Sequence, residues 1–404
     1  MKIGIIREGK VPVDTRVALT PQQCKEVMEK YPFVAIKVQK SENRCYKDQE
    51  YEALGIELTE QVEDCDILLG IKEVPINNLI ADKTYLFFSH TIKKQTYNRK
   101  LLQNILQKKI HLIDYETLTE ASGNRVIAFG RYAGLVGAYN GVMAYGKRFG
   151  LFELKPAHQC FDMKEMWQEL HKVSLPSVKI ALTGGGRVSQ GAMETLDGMG
   201  IRKVSPEEYL EKTFKEAVYT QLDPEHYAQV KDASKPFDTA DFYQHPENYA
   251  SHFARFAEVT DLLIAAAYWD PHAPVLFTRE EAKKENFRIK VVADITCDID
   301  GSVASTRQPS TIQEPLYDYN PATEKVEAPL SNPGNITVMA VDNLPNELPR
   351  DASESFGRQL IDNVLNGLLV EDSEEMIARA SIAKSGSLTQ KYNYLQDFVE
   401  VVEE

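Results

Sequence analysis

Residues 178–200 read VKIALTGGGRVSQGAMETLDGMG, a short apolar stretch followed by three glycines and an amphipathic stretch. This order predicts a strand, a tight loop and a helix. Gly184, Gly185 and Gly186 would let the backbone turn sharply and approach a pyrophosphate, whose charge the amides at a helix N-terminus stabilise. The stretch therefore predicts an α/β domain that binds a dinucleotide.

The match of this loop to the GxGxxG pattern is incomplete, because Ser189 takes the third position. A serine is small enough to keep the helix close to the strand. The next apolar stretch, IRKVS, lacks the terminal acid that bonds the ribose of NAD, and it contains Arg202 and Lys203. The choice between NAD and NADP stays open, with a slight lean to NADP. The residues predicted to bind the cofactor here are Gly184, Gly185, Gly186, Arg187, Val188 and Ser189.

The rest of the chain predicts the domain organisation. From KIGIIRE to HLIDYE, apolar strands alternate with helical patterns, which is typical of a parallel sheet covered by helices. The stretch AGLVGAYNGVMAYG (133–146) has small residues at helical spacing and predicts either a helix that connects two domains or an ordinary core helix. The strands TDLLIAAAY, IKVVADIT and NITVMAV extend the second domain, and the residues after 343 predict only helices.

The predicted fold class is α/β, with two Rossmann-like doubly wound domains separated by a cleft. Residues 1–133 and 343–404 would form the catalytic domain, because the C-terminal helices are expected to pack back on the first domain. Residues 134–342 would form the dinucleotide-binding domain, with a polar insert at about 205–258.

The stretch LGIKEVPINNLIADKTYLFFSH (69–90) places Lys72 and His90 each just past an apolar run. If both runs are strands, the two side chains lie at the carboxyl edge of a sheet, where open α/β folds carry their chemistry. Burial can lower the pKa of a lysine towards neutrality, and histidine titrates there already, so the two would form a proton-transfer pair. The alternative is a surface lysine and a hydrogen-bonded structural histidine.

Arg16 in DTRVALTP and Arg125 in GNRVIAFG are candidates to bind a substrate carboxylate. A guanidinium fork matches a carboxylate in geometry and charge. Each arginine alone would more often form a surface salt bridge. Together with Lys72 and His90 they indicate a polyanionic amino-acid substrate.

The composition excludes several classes of function. The chain has 404 residues, 43% hydrophobic and 26% charged, with a net charge of −14 that argues against nucleic acid as a partner. Its five cysteines show no CxxC pattern or metal-ligand spacing, so no metal is predicted and the thiols are expected to be reduced. No secretory signal is apparent, and the longest fully apolar run (262–269) is too short to span a membrane. A cytoplasmic location is therefore expected.

Seven stretches carry a family resemblance: DTRVALTP, GIKEVP, TYLFFSHTIKKQ, HLIDYE, RVIAFGRYAG, ADITCDIDGSV and VDNLPNELPRDASESFG. In this order they resemble saccharopine dehydrogenases of the lysine-forming type, within the alanine dehydrogenase and transhydrogenase superfamily. The likeness covers nearly the whole chain. It is greatest to the lysine-ketoglutarate reductase half of the bifunctional lysine-degrading enzyme of animals and plants, which has stretches similar to TGGGRVSQGA and FYQHPENY.

This resemblance implies an NAD(P)-dependent oxidoreductase acting on CH–NH donors, which interconverts saccharopine with lysine and 2-oxoglutarate. It implies that Lys72 is the base for the hydration and collapse of an imine. It implies that His90 handles the protons of the secondary amine. Glu73 and Glu116 fall where the family keeps carboxylates that set the pKa values of those two groups.

The resemblance also implies roles in binding. Arg16 and Arg125 would hold substrate carboxylates, and Asp342 would lie near the substrate amine unless it only caps a helix. The remaining positions expected along the cofactor are Ala266, Ala267, Tyr268 and Asp298.

Two departures from the family limit what the resemblance implies. Ser189 replaces a glycine and the ribose acid is missing, so the cofactor is not inherited from the fungal members. No second enzyme follows the chain, which is therefore expected to be monofunctional. The alternatives are an alanine dehydrogenase or another amino-acid dehydrogenase of the superfamily, and a binding protein on an inactive scaffold, which retention of Lys72 and His90 opposes. The direction of the reaction, closure of the cleft and assembly into a homo-oligomer stay open.

Overall fold

The computed structural model describes residues 1–401, and these form two compact units. Unit 1 comprises Met1–Phe129 and Pro349–Glu404, and unit 2 comprises Gly130–Leu348. Unit 1 thus ends its first segment before the predicted limit at residue 133, and unit 2 ends after the predicted limit at 342. The last three residues, 402–404, which the sequence assigned to the first domain, lie outside the described range.

The strands, in chain order, are β1 (Lys2–Ile5), β2 (Ala35–Gln39), β3 (Glu57–Thr59), β4 (Ile67–Leu69), β5 (Thr84–Phe87), β6 (His111–Asp114), β7 (Lys179–Thr183), β8 (Arg202–Lys203), β9 (Val218–Leu222), β10 (Ala228–Val230), β11 (Tyr249–Ser251), β12 (Leu262–Ala265), β13 (Val291–Asp294), β14 (Leu316–Asn320), β15 (Lys325–Glu327), β16 (Ile336–Met339), β17 (Ser381–Lys384) and β18 (Ser387–Leu388).

The α-helices are α1 (Pro21–Lys30), α2 (Asp48–Glu52), α3 (Arg99–Gln107), α4 (Gly130–Phe149), α5 (Met163–Leu170), α6 (Arg187–Gly198), α7 (Pro206–Glu211), α8 (Pro224–Tyr227), α9 (Thr239–Gln244), α10 (Ala254–Ala257), α11 (Arg279–Ala282), α12 (Pro349–Asn363), α13 (Leu365–Leu369), α14 (Met376–Ala380) and α15 (Gln396–Glu400). Short 3-10 helices lie at Ile76–Asn78, Thr91–Lys93, Thr96–Asn98, Tyr115–Thr117, Ala157–Gln159, Pro246–Asn248, Leu344–Glu347 and Gln390–Leu395.

Unit 1 contains an eight-stranded sheet in the order β18-β17-β6-β5-β4-β1-β2-β3. The strands from β3 to β6 are all parallel, and β17 and β18 add to β6 in antiparallel fashion. The α/β prediction is confirmed, but the expectation that the C-terminal tail has no strands is wrong. The hairpin SIAKSGSL was missed because it is short and polar, and because its turn depends on positive φ angles at Ser385 and Gly386.

Local signals explain the helices that cover this sheet. α1 begins where Thr20 caps it, since the Thr20 hydroxyl accepts from the Gln23 amide while the Gln23 side chain accepts from the Thr20 amide. Pro21 at the first helical position has a suitable fixed φ. In the tail, Phe356 of α12 is buried in the same apolar cluster as Ile3 of β1. The tail therefore completes the core of unit 1.

Unit 2 contains a second eight-stranded sheet, in the order β15-β14-β16-β13-β12-β7-β9-β8. In this order, the six strands β16, β13, β12, β7, β9 and β8 are parallel. β14 and β15 extend the sheet beyond β16 in antiparallel fashion. The prediction that residues 205–258 form only an insert is wrong for β9, which lies inside the sheet next to β7. Its sequence, VYTQL, has polar residues whose groups are paired locally: Thr220 donates to the Val204 carbonyl and Gln221 to the Gly184 carbonyl.

The stretch rich in small residues forms α4, which packs directly on α6. A Cβ atom added at Gly134 would lie 1.8 Å from the Val188 carbonyl oxygen, and one added at Gly191 would lie 2.0 Å from the Arg131 carbonyl oxygen. Only glycines permit this approach of the two backbones. The contact holds α6, and with it the glycine loop, in a fixed position in unit 2.

Candidate functional site

The predicted acid–base residues follow adjacent parallel strands of unit 1. β4, β5 and β6 lie side by side, and Phe87 of β5 is opposite Asp114 of β6. Lys72 follows β4, His90 follows β5 and Glu116 follows β6. Because the carboxyl ends of parallel strands share one edge of a sheet, all three loops lie at this edge.

The Glu73 carboxylate forms hydrogen bonds with both His90 and Lys10. Its Oε1 lies 2.6 Å from Nδ1 of His90, and its Oε2 accepts from Nζ of Lys10 at 2.7 Å. Burial opposes the ionisation of Glu73, but the hydrogen bonds from His90 and Lys10 outweigh it and lower the pKa of its carboxyl to about 2. An ionised Glu73 requires the proton of a neutral His90 to be on Nδ1, which leaves Nε2 able to accept a proton.

Lys72 is only partly accessible, and burial lowers the pKa of its ammonium, an effect that the Arg16 guanidinium increases. Glu8, which was not predicted from the sequence, positions the main chain of Lys72. Glu8, in the segment that follows β1, accepts from the amide of Ile71 at 2.7 Å and from the amide of Lys72 at 2.8 Å. Burial, together with a smaller effect of the Asp14 charge, raises the pKa of the Glu8 carboxyl to about 8. An acid directly after an apolar strand was the available signal.

A buried acid ties the next two loops together. Asp114 accepts from the amide of Ser89 at 2.9 Å and from the amide of Glu116 at 2.7 Å. Burial raises the pKa of Asp114. Glu116 itself contacts Lys93 at 3.5 Å, whereas its Oε2 is buried without a hydrogen-bond partner among residues 1–401. The role of Glu116 in setting the pKa values of Lys72 and His90 stays a prediction.

The two arginines have different surroundings. Arg16 is 3% exposed and forms a bidentate ion pair with Asp14, at 2.9 Å from Nε to Oδ1 and 2.6 Å from Nη2 to Oδ2. Its guanidinium lies 4.1 Å from the centre of the Phe129 ring. Arg125 has a more accessible side chain, and its Nη1 lies 3.9 Å from Glu116. Arg125 is therefore the more available of the two for a substrate.

In unit 2, the glycine loop has the geometry of a phosphate-binding turn. Gly184 has a φ of +92°, and a Cβ atom there would lie 2.9 Å from Cα of Ala267. A Cβ atom at Gly186 would meet nothing within 4 Å, and α6 begins next to it without a side-chain cap. Ser189 donates to the Thr183 carbonyl at 3.0 Å, so it fastens the helix to the strand as expected of a small residue. This open N-terminus fits a pyrophosphate.

An acid borders the glycine loop, directly after a strand that was not predicted from the sequence. IRKVS contributes the edge strand β8, and the strand beside β7 is β9, which ends one residue before Asp223. A Cβ atom at Gly185 would lie 2.9 Å from Oδ1 of Asp223, so this carboxylate borders the glycine loop. Asp223, rather than a residue at the end of IRKVS, is therefore the candidate for the ribose acid. The sequence does contain an acid directly after VYTQL. It was missed because the polar residues of VYTQL do not predict a buried strand.

The other predicted positions of unit 2 also follow strands of its sheet. Ala266, Ala267 and Tyr268 follow β12, and the amides of the two alanines donate to the Thr183 hydroxyl at 3.1 and 3.4 Å. Asp298 follows β13, and Asp342 is exposed beyond β16. These positions share the carboxyl edge with the glycine loop, whereas their contacts with a cofactor stay predictions.

Membrane-spanning helices and groups of metal ligands are both absent from residues 1–401. No helix there is both long and apolar enough to cross a lipid bilayer. No three His, Cys, Asp or Glu side chains in that range are grouped as metal ligands would be.

Known proteins are similar to this chain in sequence and in structure. Residues 4–136 match the alanine dehydrogenase/PNT N-terminal domain. The structure is similar to that of an L-alanine dehydrogenase, with a TM-score of 0.65 and 16% identity, over 98% of this chain and all of that one. The first third of the chain is therefore similar to the N-terminal domain that alanine dehydrogenases share with PNT proteins. The fold class predicted from the resemblance is confirmed.

Two relatives match nearly the whole of this chain. The mitochondrial alpha-aminoadipic semialdehyde synthase of Rattus norvegicus is 30% identical over 98% of this chain and 48% of that protein. The saccharopine dehydrogenase (NAD+, L-lysine-forming) of Emericella nidulans is 26% identical over 90% of this chain and 91% of that protein. The chain spans about half the length of the rat relative and nearly all of the fungal one. The predicted likeness to the saccharopine branch is confirmed.

Proposed function

We propose that this chain is a saccharopine dehydrogenase of the L-lysine-forming type, which interconverts saccharopine with L-lysine and 2-oxoglutarate. The observation that carries the proposal is the Glu73 carboxylate, which bonds His90 and directly follows Lys72 at the carboxyl edge of the sheet. Such a cluster is suited to proton transfer to and from an amine and water. The likeness to the fungal enzyme over most of both chains supports the choice of substrate.

His90 and Lys72 divide the proton transfers in this reaction. Nε2 of His90 takes the proton from the secondary amine before its carbon is oxidised, and returns it to the nitrogen of lysine as lysine leaves. Lys72, whose pKa is lowered, is neutral in a larger fraction of molecules than an exposed lysine. Its amine removes a proton from the water that adds to the imine carbon and releases this proton to solvent. The neutral amine then removes the proton of the resulting hydroxyl as the C–N bond breaks. When bound, the nicotinamide accepts or donates the hydride.

Asp223 supports NAD as the cofactor. A carboxylate at the end of the second spatial strand bonds both ribose hydroxyls of NAD, and it repels the additional phosphate of NADP. The lean to NADP rested on the lack of an acid at the end of IRKVS and on the presence of Arg202 and Lys203 in that stretch. The glycine loop and the uncapped start of α6 would hold the pyrophosphate. Asp298 and Tyr268 remain proposed contacts on the same edge.

Arg125 is the proposed anchor for a substrate carboxylate, because its guanidinium is the more accessible. Arg16 is already paired with Asp14, so it can contribute only if the substrate shares or replaces that partner. Asp342 is a proposed partner of the substrate amine. The cytoplasmic location and the oligomeric state stay predictions.

The decisive assay mixes lysine, 2-oxoglutarate and either NADH or NADPH and follows the loss of absorbance of the reduced cofactor. We expect consumption of NADH that requires both substrates and exceeds that of NADPH. Reactions without lysine are the control for background oxidation. Oxidation of NADH with pyruvate and ammonium, but not with lysine and 2-oxoglutarate, would identify the chain as an alanine dehydrogenase instead.

A further inference from the structure

The loop that carries His90 is bonded to a buried carboxylate, that of Asp114 at the end of β6. Oδ2 of Asp114 accepts from the amide of Ser89 at 2.9 Å and also from the Ser89 hydroxyl. Ser89 directly precedes His90, and both Ser89 and Asp114 are fully buried. A charge so far from water requires hydrogen-bond donors, and Ser89 supplies two of them. Asp114 is therefore fixed against the start of the His90 loop.

A chain of hydroxyl groups continues from Asp114 past His90. The Ser89 hydroxyl donates its single proton to Asp114, so the 2.8 Å contact between the Ser89 and Thr91 hydroxyls is a bond donated by Thr91. The amide of Thr91 also donates to Oγ of Ser89, at 3.3 Å. Oγ of Ser89 thus joins the two residues that flank His90. Asp114, as the last acceptor, sets the direction of every bond in this chain.

His90 has a backbone conformation that residues with a Cβ atom rarely adopt. Its φ is +53° and its ψ is 12°, in the left-handed region. Such a conformation is unfavourable and persists only where surrounding bonds enforce it. The bond from the Thr91 amide to Oγ of Ser89 closes the turn across His90. The left-handed conformation of His90 therefore depends on Ser89 and, through Ser89, on Asp114.

The imidazole of His90 has two fixed contacts in this conformation. Its Nδ1 lies 2.6 Å from Oε1 of Glu73. The ring also stacks on Phe88, with ring centres 6.4 Å apart and an angle of 19° between the planes. Phe88 is buried and packs against Tyr115, with ring centres 5.3 Å apart. An ordinary extended or right-handed backbone at His90 would direct the imidazole away from these partners.

We propose that Asp114, acting through Ser89, is a positioning residue for His90, because its bonds keep the left-handed turn closed and so hold Nδ1 of His90 at Glu73. The inference rests on the proposed function in taking His90 as a group that transfers protons. Being fully buried, Asp114 acts only through the residues that it bonds. Its Oδ1 accepts from the amide of Glu116 at 2.7 Å, so the same carboxylate also holds the loop after β6.

The N–H resonances of the histidine rings test this geometry without an enzyme assay. In protein with isotope-labelled histidine, the proton on Nδ1 of His90 should give a downfield, slowly exchanging resonance, because it is bonded to Glu73. Its absence from the spectrum of His90→Gln assigns it. We expect it to be absent from Asp114→Asn as well, because an amide offers one acceptor oxygen to the three donors that the carboxylate serves.

Ser89→Ala is the second variant, and it decides alone if Asp114→Asn does not fold. It removes the bond that closes the turn but keeps the amide that donates to Asp114. The His90 resonance should again be lost. The ring proton on Nε2 of His111, 2.7 Å from Oγ of Ser381, should be unchanged in both variants, because His111 begins the same strand β6 and shows that it is intact.

Kinetics with lysine, 2-oxoglutarate and NADH show the effect on the reaction. In both variants kcat should fall by about ten-fold, because the imidazole is misplaced, whereas the KM for NADH should not change. Thr20→Ala is the matched control, because Thr20 is a buried hydroxyl of unit 1 that caps α1. It should lower the melting temperature without affecting the His90 resonance or kcat.

Two results would overturn the proposal. One is a His90 resonance that persists in the variants, and the other is a wild type that lacks it. Loss of the resonance with unchanged kcat would instead support the positioning of His90 and count against the proposed function alone.

Discussion

The sheets of unit 1 and unit 2 have the same arrangement of strands but different chemistry at their carboxyl edges. Each has six parallel strands extended by two antiparallel ones. In unit 1 this edge carries the ionisable side chains Lys72, Glu73 and His90. Burial lowers the pKa of Lys72, and hydrogen bonds from His90 and Lys10 lower that of Glu73. In unit 2 it carries the glycine loop and Asp223. The same framework thus carries the residues proposed for proton transfer in one unit and those proposed for nucleotide binding in the other.

The strongest test of this division is Lys72→Met. We expect turnover to fall by roughly 100-fold or more, because the base is lost. Binding of the cofactor should be unchanged, since its proposed residues are in unit 2. Steady-state kinetics and fluorescence titration with NADH measure the two effects. A variant that turns over normally, or that loses NADH affinity instead, would break the comparison.

Glu73→Gln sharpens the role of the unit 1 cluster. A neutral amide no longer stabilises a proton on Nδ1 of His90, so we expect turnover to fall by about ten-fold or more. The pH dependence of kcat/KM should change with it, whereas the KM for NADH should not. Glu60→Gln is the control, because Glu60 is an exposed carboxylate that pairs with Arg7. An identical pH profile in wild type and Glu73→Gln would exclude this positioning role.

Asp223→Ser tests the nucleotide side of the comparison. Loss of the carboxylate should raise the KM for NADH by about ten-fold and improve the relative use of NADPH, because the repulsion of its phosphate is removed. Turnover at saturating NADH should change little. Glu225→Ser, at an exposed acid on the same helix, controls for the loss of charge. No change in the NADH to NADPH ratio would argue against NAD as the preferred cofactor.

Glu8→Gln should have the smallest effect, on stability. The pKa of Glu8 is about 8 in the folded chain and 4.5 ordinarily, so between these values the folded state holds a proton that the unfolded state has lost. The free energy of unfolding of the wild type should therefore fall relative to that of the variant as the pH rises from about 4.5 to 8. Urea unfolding of both proteins at a series of pH values measures this relative change. A difference independent of pH would show that Glu8 titrates normally.

Much of unit 1 was predictable, because its signals are local. Lys72 and His90 each follow an apolar run, and parallel strands bring such positions to one edge. Glu73 was identified by its place in GIKEVP. Glu8 was missed because its importance comes from the amides of Ile71 and Lys72, which are distant in sequence. The ion pair of Arg16 with Asp14 was likewise not expected, although only one residue separates them.

The prediction for unit 2 was less complete, because it assumed that consecutive strands are neighbours. The chain enters β8 at the sheet edge before it returns to β9 beside β7. The acid next to the glycine loop is therefore Asp223 rather than a residue near Lys203. β9 also lacks the apolar pattern of a buried strand, since Thr220 and Gln221 satisfy their polar groups by internal hydrogen bonds.

The amino-acid sequence by itself determined the alternation of strands and helices, the glycine turn before α6 and the residue types that can transfer protons. These depend on local backbone preference and on the periodicity of apolar side chains. Only the tertiary structure decided which strand lies beside β7, that Glu73 bonds His90 and that Asp114 bonds the amide of Ser89. Such choices depend on the order of strands in a sheet and on contacts between distant residues, which no local pattern encodes.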